Sequence, residues 1–205
     1  AITISNRRIR GRKFLRVAYF IPVVLSVTVV CQLWMSIFSD TGLLNQLMQS
    51  LGFEGFRQNW LGDRYKSIYA IAFVNAWQWM GYQFALILAG IKSISEDYYE
   101  AAQIDGADGW RRLFKVTIPM MMPSITICMF LTITNGFKLF DQNLALTAGE
   151  PMKMSEMMAL NIYNTFYGRV GWEGVGQAKA VLFFILVAIV ALGQLKLTRE
   201  KEVQA

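Results

Sequence analysis

Four long apolar runs organise the chain, and the segments between them carry most of the charge. The runs cover residues 18–38, 67–91, 116–137 and 174–195. The first three contain no charged side chain, and the fourth contains only Lys179, near one end, where a long side chain can reach the membrane surface. The 21 residues of the first run would form a helix of roughly 31 Å, which matches a hydrocarbon core of about 30 Å. The pattern therefore predicts four transmembrane helices.

Buried helices of a large soluble protein are the alternative, but such helices seldom stay uncharged for about 20 residues, and here the pattern occurs four times in 205 residues. Composition favours the membrane, because 55% of the residues are hydrophobic and only 17% are charged, whereas about 25% are charged in soluble domains. A secretory signal peptide does not explain the first run, which is too long for one.

The distribution of basic residues predicts the orientation. Thirteen Lys and Arg side chains precede the first run, lie between the second and third, or follow the fourth, and the other two connections hold six. The excess belongs in the cytoplasm by the positive-inside rule, so we expect both ends of this chain and its middle loop there. The basic side chains at the two ends are Arg7, Arg8, Arg10, Arg12, Lys13, Arg16, Lys196, Arg199 and Lys201. The net charge of +6 is then a topology signal and does not indicate nucleic-acid binding.

Several kinds of chemistry are excluded by residue types. The chain has no histidine, which removes most zinc sites, Ser-His-Asp triads and Cys-His pairs. Cys31 and Cys128 each lie inside an apolar run and are interpreted as small core residues. No phosphate-binding G-x-x-x-x-G-K-[ST] motif occurs, so we do not expect this chain to bind ATP.

The middle loop, residues 95–115, has the most informative pattern. Ser95 is a good N-cap for a short helix, Gly106 is a natural stop, and Asp108 can cap a second short helix. Pro119 is expected to open the third run, where its missing N–H does no harm. We therefore predict two short helices joined by a glycine elbow at the cytoplasmic surface.

One face of the first short helix is suited to a partner. Tyr98, Ala101 and Ala102 have i, i+3, i+4 spacing and share a face. The small alanines would let another surface approach closely, and Glu100 would offer it a charge.

This loop resembles the EAA loop of ATP-binding-cassette (ABC) importer permeases. Glu100-Ala101-Ala102, Gly106 and Pro119 match the family pattern in register, whereas Val116 and Ile118 stand where isoleucine and leucine are usual. In that family the loop is a coupling helix that contacts the ATP-hydrolysing subunit. The resemblance implies that role for Glu100, Ala101, Ala102, Asp105, Gly106 and Pro119. An ordinary amphipathic connector is the alternative.

Two further segments resemble the carbohydrate permeases of this family. They are Arg10-Gly11-Arg12 with Phe14 and Phe20-Ile21-Pro22, and Phe140-Asp141 with the stretch from Leu146 to Pro151. The resemblance implies an all-α membrane protein with a type I ABC importer permease core of six helices. Ala1 to Ser5 look like the tail of the second helix, so we expect four complete helices of the six here, with an incomplete N-terminus.

The resemblance also implies the partners and the energy source. ATP and Mg²⁺ would be bound by cytoplasmic ATP-binding subunits, and no cofactor by this chain. A second permease subunit, a different chain, would complete the pore, and an extracellular or periplasmic solute-binding protein would deliver the solute. The chain would act by alternating access in the lipid membrane, with no covalent catalysis and no nucleic-acid partner.

Stripes of polar residues suggest a translocation path. Amides beside aromatic rings suit a sugar, whose hydroxyls need partners and whose C–H faces can stack on rings. Hydrogen bonding between helices is the alternative for the same residues, and a simple ion pair with Asp141 is the alternative for Lys138. The candidates, at near-helical spacing, are Asn75, Gln78, Tyr82, Asn135, Lys138 and Gln142.

Other classes remain open. Permeases for amino acids, phosphate or peptides share the coupling loop. A secondary transporter driven by an ion gradient usually has ionisable groups near mid-membrane, and the first three runs have none. An intramembrane enzyme would need a nucleophile with its base, or metal ligands, inside the spans.

Overall fold

The computed structural model describes residues 11–53, 55 and 57–200, apart from the side chain of Arg12. Arg7, Arg8, Arg10, Lys201 and the predicted helix tail from Ala1 to Ser5 lie outside the described residues. Within the described part, every regular element is a helix. The elements are α1 (Arg12–Val24), α2 (Val27–Phe38), α3 (Leu43–Ser50), α4 (Lys66–Ser93), α5 (Glu96–Ile104), α6 (Gly109–Met120), α7 (Met122–Phe137), α8 (Asp141–Leu146), α9 (Met158–Tyr167) and α10 (Glu173–Arg199).

The first apolar run forms two helices where the sequence predicts one. Pro22 lies inside α1 and cannot donate a backbone hydrogen bond, and α1 ends two residues later. Ser26 then adopts an extended conformation, and its side chain accepts a hydrogen bond from Val29 N at 3.3 Å, which caps α2. Pro22 and the Ser26 cap therefore account for the break between the two helices at Leu25 and Ser26.

The third apolar run is also interrupted. Residues Leu113–Thr117 of α6 form a π-helix, and α6 and α7 meet at Met121 with a bend of 65°. Pro123, in the first turn of α7, has no N–H to continue the hydrogen-bond ladder of α6. Pro119 therefore lies in the last turn of α6 and does not open the third run, contrary to expectation.

Helix α4 covers the second apolar run and is continuous over 28 residues. Within the described residues, two stretches are long and apolar enough to cross a membrane, Val27–Ser50 and Glu173–Arg199, and the bent pair α6–α7 adds a third if it counts as one span. Helix α4 is not among them, because polar residues such as Asn75 and Gln78 lower its mean hydropathy. The four spans remain a prediction.

The chain divides into two compact units. The first unit comprises the described residues of Ala1–Phe20, Gly81–Gly136 and Ile185–Ala205. The second unit comprises those of Ile21–Met80 and Phe137–Phe184.

Aromatic rings and small residues pack closely inside each unit. In the second unit, Val30, Ile71 and Val74 are buried together, and the Trp34 ring lies 5.3 Å from that of Trp77. In the first unit, Gly81 lies directly against the backbone of Tyr19, so no larger residue fits there. Cys31 and Cys128 are both free and buried, as predicted for core residues.

Candidate functional site

Residues 95–119 form the predicted pair of helices around a turn, all within the first unit. The Ser95 side chain accepts a hydrogen bond from Asp97 N at 3.3 Å at the start of α5. Asp108 Oδ1 accepts one from Arg111 N at 2.7 Å at the start of α6. Both predicted N-caps are confirmed, and we call this segment the elbow.

Gly106 ends α5 in a left-handed conformation, with φ of +72°. Its N–H donates to Gln103 O at 3.1 Å, and the N–H of Ala107 donates to Ala102 O at 2.9 Å. This pair of bonds is the Schellman arrangement, which satisfies the last carbonyls of a helix and fixes the direction of the chain that follows. The elbow is therefore set by hydrogen bonds and not left as a loose connector.

The two alanines of the elbow have different surroundings. Glu100 and Ala101 are exposed, as are Asp105 and Gly106. Ala102 is only 8% exposed, since it shares the inner face of α5 with Tyr99, whose hydroxyl contacts Thr117 at 3.5 Å. The expectation that both alanines lie on the open face is wrong for Ala102, which packs inward.

Large apolar side chains extend the exposed surface of the elbow. Ile104 is 86% exposed and Trp110 is 72% exposed. The ring of Trp110 stacks on that of Phe114, with centroids 6.2 Å apart. An exposed apolar patch next to charged residues is typical of a protein–protein contact.

Two of the six translocation candidates meet inside the second unit. Gln142 Nε2 donates to Gln78 Oε1 at 2.6 Å, and Gln78 Nε2 donates to the carbonyl of Leu25 at 3.2 Å. Both glutamines are 1% exposed. They join α8 and α4 to the break after α1, which agrees with the alternative that they hydrogen-bond between helices.

The other four candidates are more open. Asn75 is half-buried and Lys138 is exposed, both in the second unit. Tyr82 and Asn135 are exposed residues of the first unit. Among the described residues, no ion pair joins Lys138 to Asp141, although their spacing suggested one. Lys138 lies in the turn before α8, and Asp141 begins that helix.

Sequence reasoning missed the role of Asn143, the residue after Gln142. Asn143 is fully buried; its Nδ2 donates to Ser155 O at 2.7 Å and its Oδ1 accepts from Met157 N at 2.9 Å. Ser155 Oγ in turn donates to Glu150 O at 2.7 Å. The side-chain amide of Asn143 thus holds the loop of residues 147–157 against α8. No local sequence pattern predicts this contact.

A second missed cluster surrounds Lys179. Its Nζ donates to Asn161 Oδ1 at 2.7 Å and to Thr165 Oγ1 at 2.8 Å, so the ammonium group bonds to two side chains of α9. Glu156 accepts from the Nδ2 atoms of Asn161 and Asn164. Asn161 and Thr165 have i, i+4 spacing and so share a face of α9, but this spacing alone does not identify Lys179 as their partner.

The carboxyl group of Glu156 has a lowered pKa. Its partial burial raises the pKa, but the hydrogen bonds from Asn164 and Asn161 and the positive charges of Lys153 and Lys179 outweigh that effect.

In the part of the chain that the structure describes, no group of three or more metal-binding side chains is placed to hold an ion.

Comparison with known proteins gives consistent results. A family model described as "Binding-protein-dependent transport system inner membrane component" matches residues 1–199. The chain is 36% identical over 199 residues to the probable starch degradation products transport system permease protein AmyD of Thermoanaerobacterium thermosulfurigenes, covering 97% of this chain and 67% of that protein. It is 32% identical to the multiple sugar-binding transport system permease protein MsmF of Streptococcus mutans, with the same coverage of 97% and 67%.

A solved structure has the same fold. It is a bacterial ABC transporter involved in the import of the acidic polysaccharide alginate, matched with a TM-score of 0.85 at 20% identity over 97% of this chain and 70% of that one. The chain thus spans about two thirds of the length of the relatives it matches.

Proposed function

Because the chain belongs to the family of binding-protein-dependent transport system inner membrane components, we propose that it is the permease subunit of an ABC importer for a carbohydrate. The family is one of transport proteins, and its match over residues 1–199 is the observation that carries the proposal. The carbohydrate class is supported by the names of AmyD and MsmF. A permease for an amino acid, phosphate or a peptide is the alternative within the family.

The elbow is proposed as the contact with a separate ATPase subunit, which binds ATP and Mg²⁺. Glu100 and Ala101 lie exposed on α5, and Asp105 and Gly106 lie exposed at the turn. The Schellman bonds at Gly106 hold the two helices in a fixed relation, so a force on α5 is passed to α6. Ala102 supports this arrangement from inside, and Pro119 lies just before the bend between α6 and α7.

Transport then follows an alternating-access cycle. Closure of the ATPase subunits around ATP moves the elbow, and the membrane helices exchange inward-open and outward-open states. A second, different permease chain completes the pore, and a solute-binding protein outside the cell or in the periplasm delivers the sugar. Both ends of this chain and the elbow lie in the cytoplasm.

The decisive experiment reconstitutes the full importer in vesicles and measures uptake of a labelled oligosaccharide. We expect uptake to require ATP and to survive an ionophore that collapses ion gradients. Uptake that ignores ATP and fails with the ionophore would indicate a secondary transporter instead.

The Glu100→Lys variant tests the elbow directly. Loss of a charged hydrogen-bonding partner at the interface should lower ATP-driven uptake and co-purification with the ATPase subunit by about tenfold, while insertion stays intact. Glu200→Lys is the control, since Glu200 is an exposed acid outside the elbow. Equal uptake and equal co-purification in the two variants would remove the coupling role of Glu100.

A further inference from the structure

An open cleft in the second unit lies between α9 and the first turns of α10, with a volume of about 430 Å³. This volume is in the range of small-molecule sites. Four aromatic residues line it, together with Gly176, Gln177 and three apolar residues, Ala159, Ile162 and Ala180. The aromatic residues are Phe140, Tyr163, Phe166 and Tyr167.

The aromatic rings form a continuous wall. The centroid of Tyr163 lies 5.1 Å from that of Phe140 and 5.0 Å from that of Tyr167. The ring centroids of Phe166 and Tyr167 lie 4.7 Å apart. Tyr163 is 43% exposed and Tyr167 is 72% exposed, so both present ring surface to a ligand.

The walls of the cleft are held in place. A Cβ atom on Gly176 would lie 2.8 Å from that of Phe166, so α10 approaches α9 as closely as a glycine allows. The hydrogen bonds from Lys179 to Asn161 and Thr165 fasten the same two helices together. The cleft is thus formed before any ligand arrives, which lowers the cost of binding.

The lining indicates the class of ligand. Among the residues that the structure describes, the lining contains no charged side chain, so an anionic or cationic ligand would find no counter-charge there. Aromatic faces suit the C–H face of a sugar ring, while the phenol groups and Gln177 supply donors and acceptors for hydroxyls.

We propose that this cleft binds one or two rings of a neutral oligosaccharide on the outer side of the membrane. The inference rests on the proposed function, since residues 138–173 face outward only in the orientation given above. The cleft would hold the sugar after its release from the solute-binding protein and before entry into the translocation path.

The test uses the full-length protein in lipid nanodiscs, labelled with 3-fluorotyrosine and observed by ¹⁹F NMR. Maltotriose, lactose and trehalose are titrated separately, without ATP and without a solute-binding protein. The signals of Tyr163 and Tyr167, assigned from their Tyr→Phe variants, should shift in a saturable way with at least one sugar. Tyr167→Ala should weaken that binding by roughly tenfold, the size expected for loss of one aromatic contact.

Tyr65→Ala is the matched control, because Tyr65 is 63% exposed and lies outside the cleft. The proposal is overturned if none of the three sugars shifts the two signals, if Tyr167→Ala binds as tightly as the Tyr65→Ala control, or if the signals respond only to lipid composition. If the full importer shows ATP-driven uptake but Tyr167→Ala binds the sugar as tightly as the unchanged protein, the cleft is not the sugar site and the proposed function still stands. Sugar binding in the cleft without ATP-driven uptake would do the reverse.

Discussion

Buried amide side chains join distant segments of the second unit. Asn45 is 1% exposed and its Nδ2 donates to Gln58 O at 2.9 Å, while its Oδ1 accepts from Trp60 Nε1 at 3.3 Å. Gln78 and Asn143 act in the same way toward Leu25 and Ser155. An amide has both donors and acceptors and no charge, so its hydrogen bonds to backbone groups offset the cost of burying it, and that cost is smaller than the cost of burying a charge.

Glu156 is a charged residue that accepts hydrogen bonds from the side-chain amides of Asn161 and Asn164. Its lowered pKa predicts that the stability of the fold depends on pH. The folded state holds the carboxylate more strongly than the unfolded chain does, so this contribution to stability is complete above the ordinary glutamate pKa of about 4.3 and is lost as the pH falls through the lowered value. Thermal unfolding of the protein in nanodiscs should therefore show a loss of stability below about pH 5.

Glu156→Gln should lose less stability over the same pH interval, because it has no carboxylate to protonate. Glu200→Gln serves as the control, since Glu200 is exposed. An identical pH slope for the protein and for Glu156→Gln would show that the carboxylate contributes nothing to folding.

At the scale of elements, the elbow depends on one glycine conformation. Gly106 has φ of +72°, and no atom lies within 4 Å of the position of an added Cβ. Gly106→Ala would thus fit sterically but would strain the backbone by about 1–2 kcal/mol. We expect faster hydrogen exchange at the amides of 106 and 107 and reduced ATP-driven uptake.

Gly109→Ala is the matched control for that variant. Gly109 begins α6 with no positive φ and equally open surroundings, so alanine is compatible with its conformation. If both variants exchange and transport alike, the left-handed turn does not define the elbow.

Local chemistry explains which elements were predictable. The caps at Ser95 and Asp108 were predicted because each side chain bonds an N–H two or three residues further on. The interruptions at Leu25–Ser26 and Met121 were missed because the apolar runs continue through them. Pro22 and Pro123 were visible in the sequence, but hydropathy alone does not show a break in backbone hydrogen bonding.

Contacts between segments that are far apart in the chain could not be predicted from the sequence. Lys179 is separated by 18 residues from Asn161 and by 14 from Thr165, and no local pattern specifies that α9 and α10 pack side by side. The burial of Gln78 and Gln142 depends likewise on how α4 and α8 pack, so periodicity alone did not distinguish a path-lining residue from a structural one.

At the scale of the whole molecule, the helical fold and the family were predictable, because hydropathy, charge placement and the elbow motif agree over nearly the whole chain. The sidedness of the membrane remains a proposal on which the function depends. Only if the elbow faces the cytoplasm can Glu100 and Ala101 meet a cytoplasmic ATPase subunit.

Cysteine labelling measures this sidedness directly. In the full-length protein with its native cysteines replaced, including the buried Cys31 and Cys128, single cysteines are placed at Gln103 on α5 and at Arg64 before α4, both exposed positions. A membrane-impermeant maleimide should label Gln103→Cys only in inside-out vesicles and Arg64→Cys only in right-side-out vesicles. Labelling of Gln103→Cys in sealed right-side-out vesicles would place the elbow outside the cell and contradict the proposed coupling to a cytoplasmic ATPase.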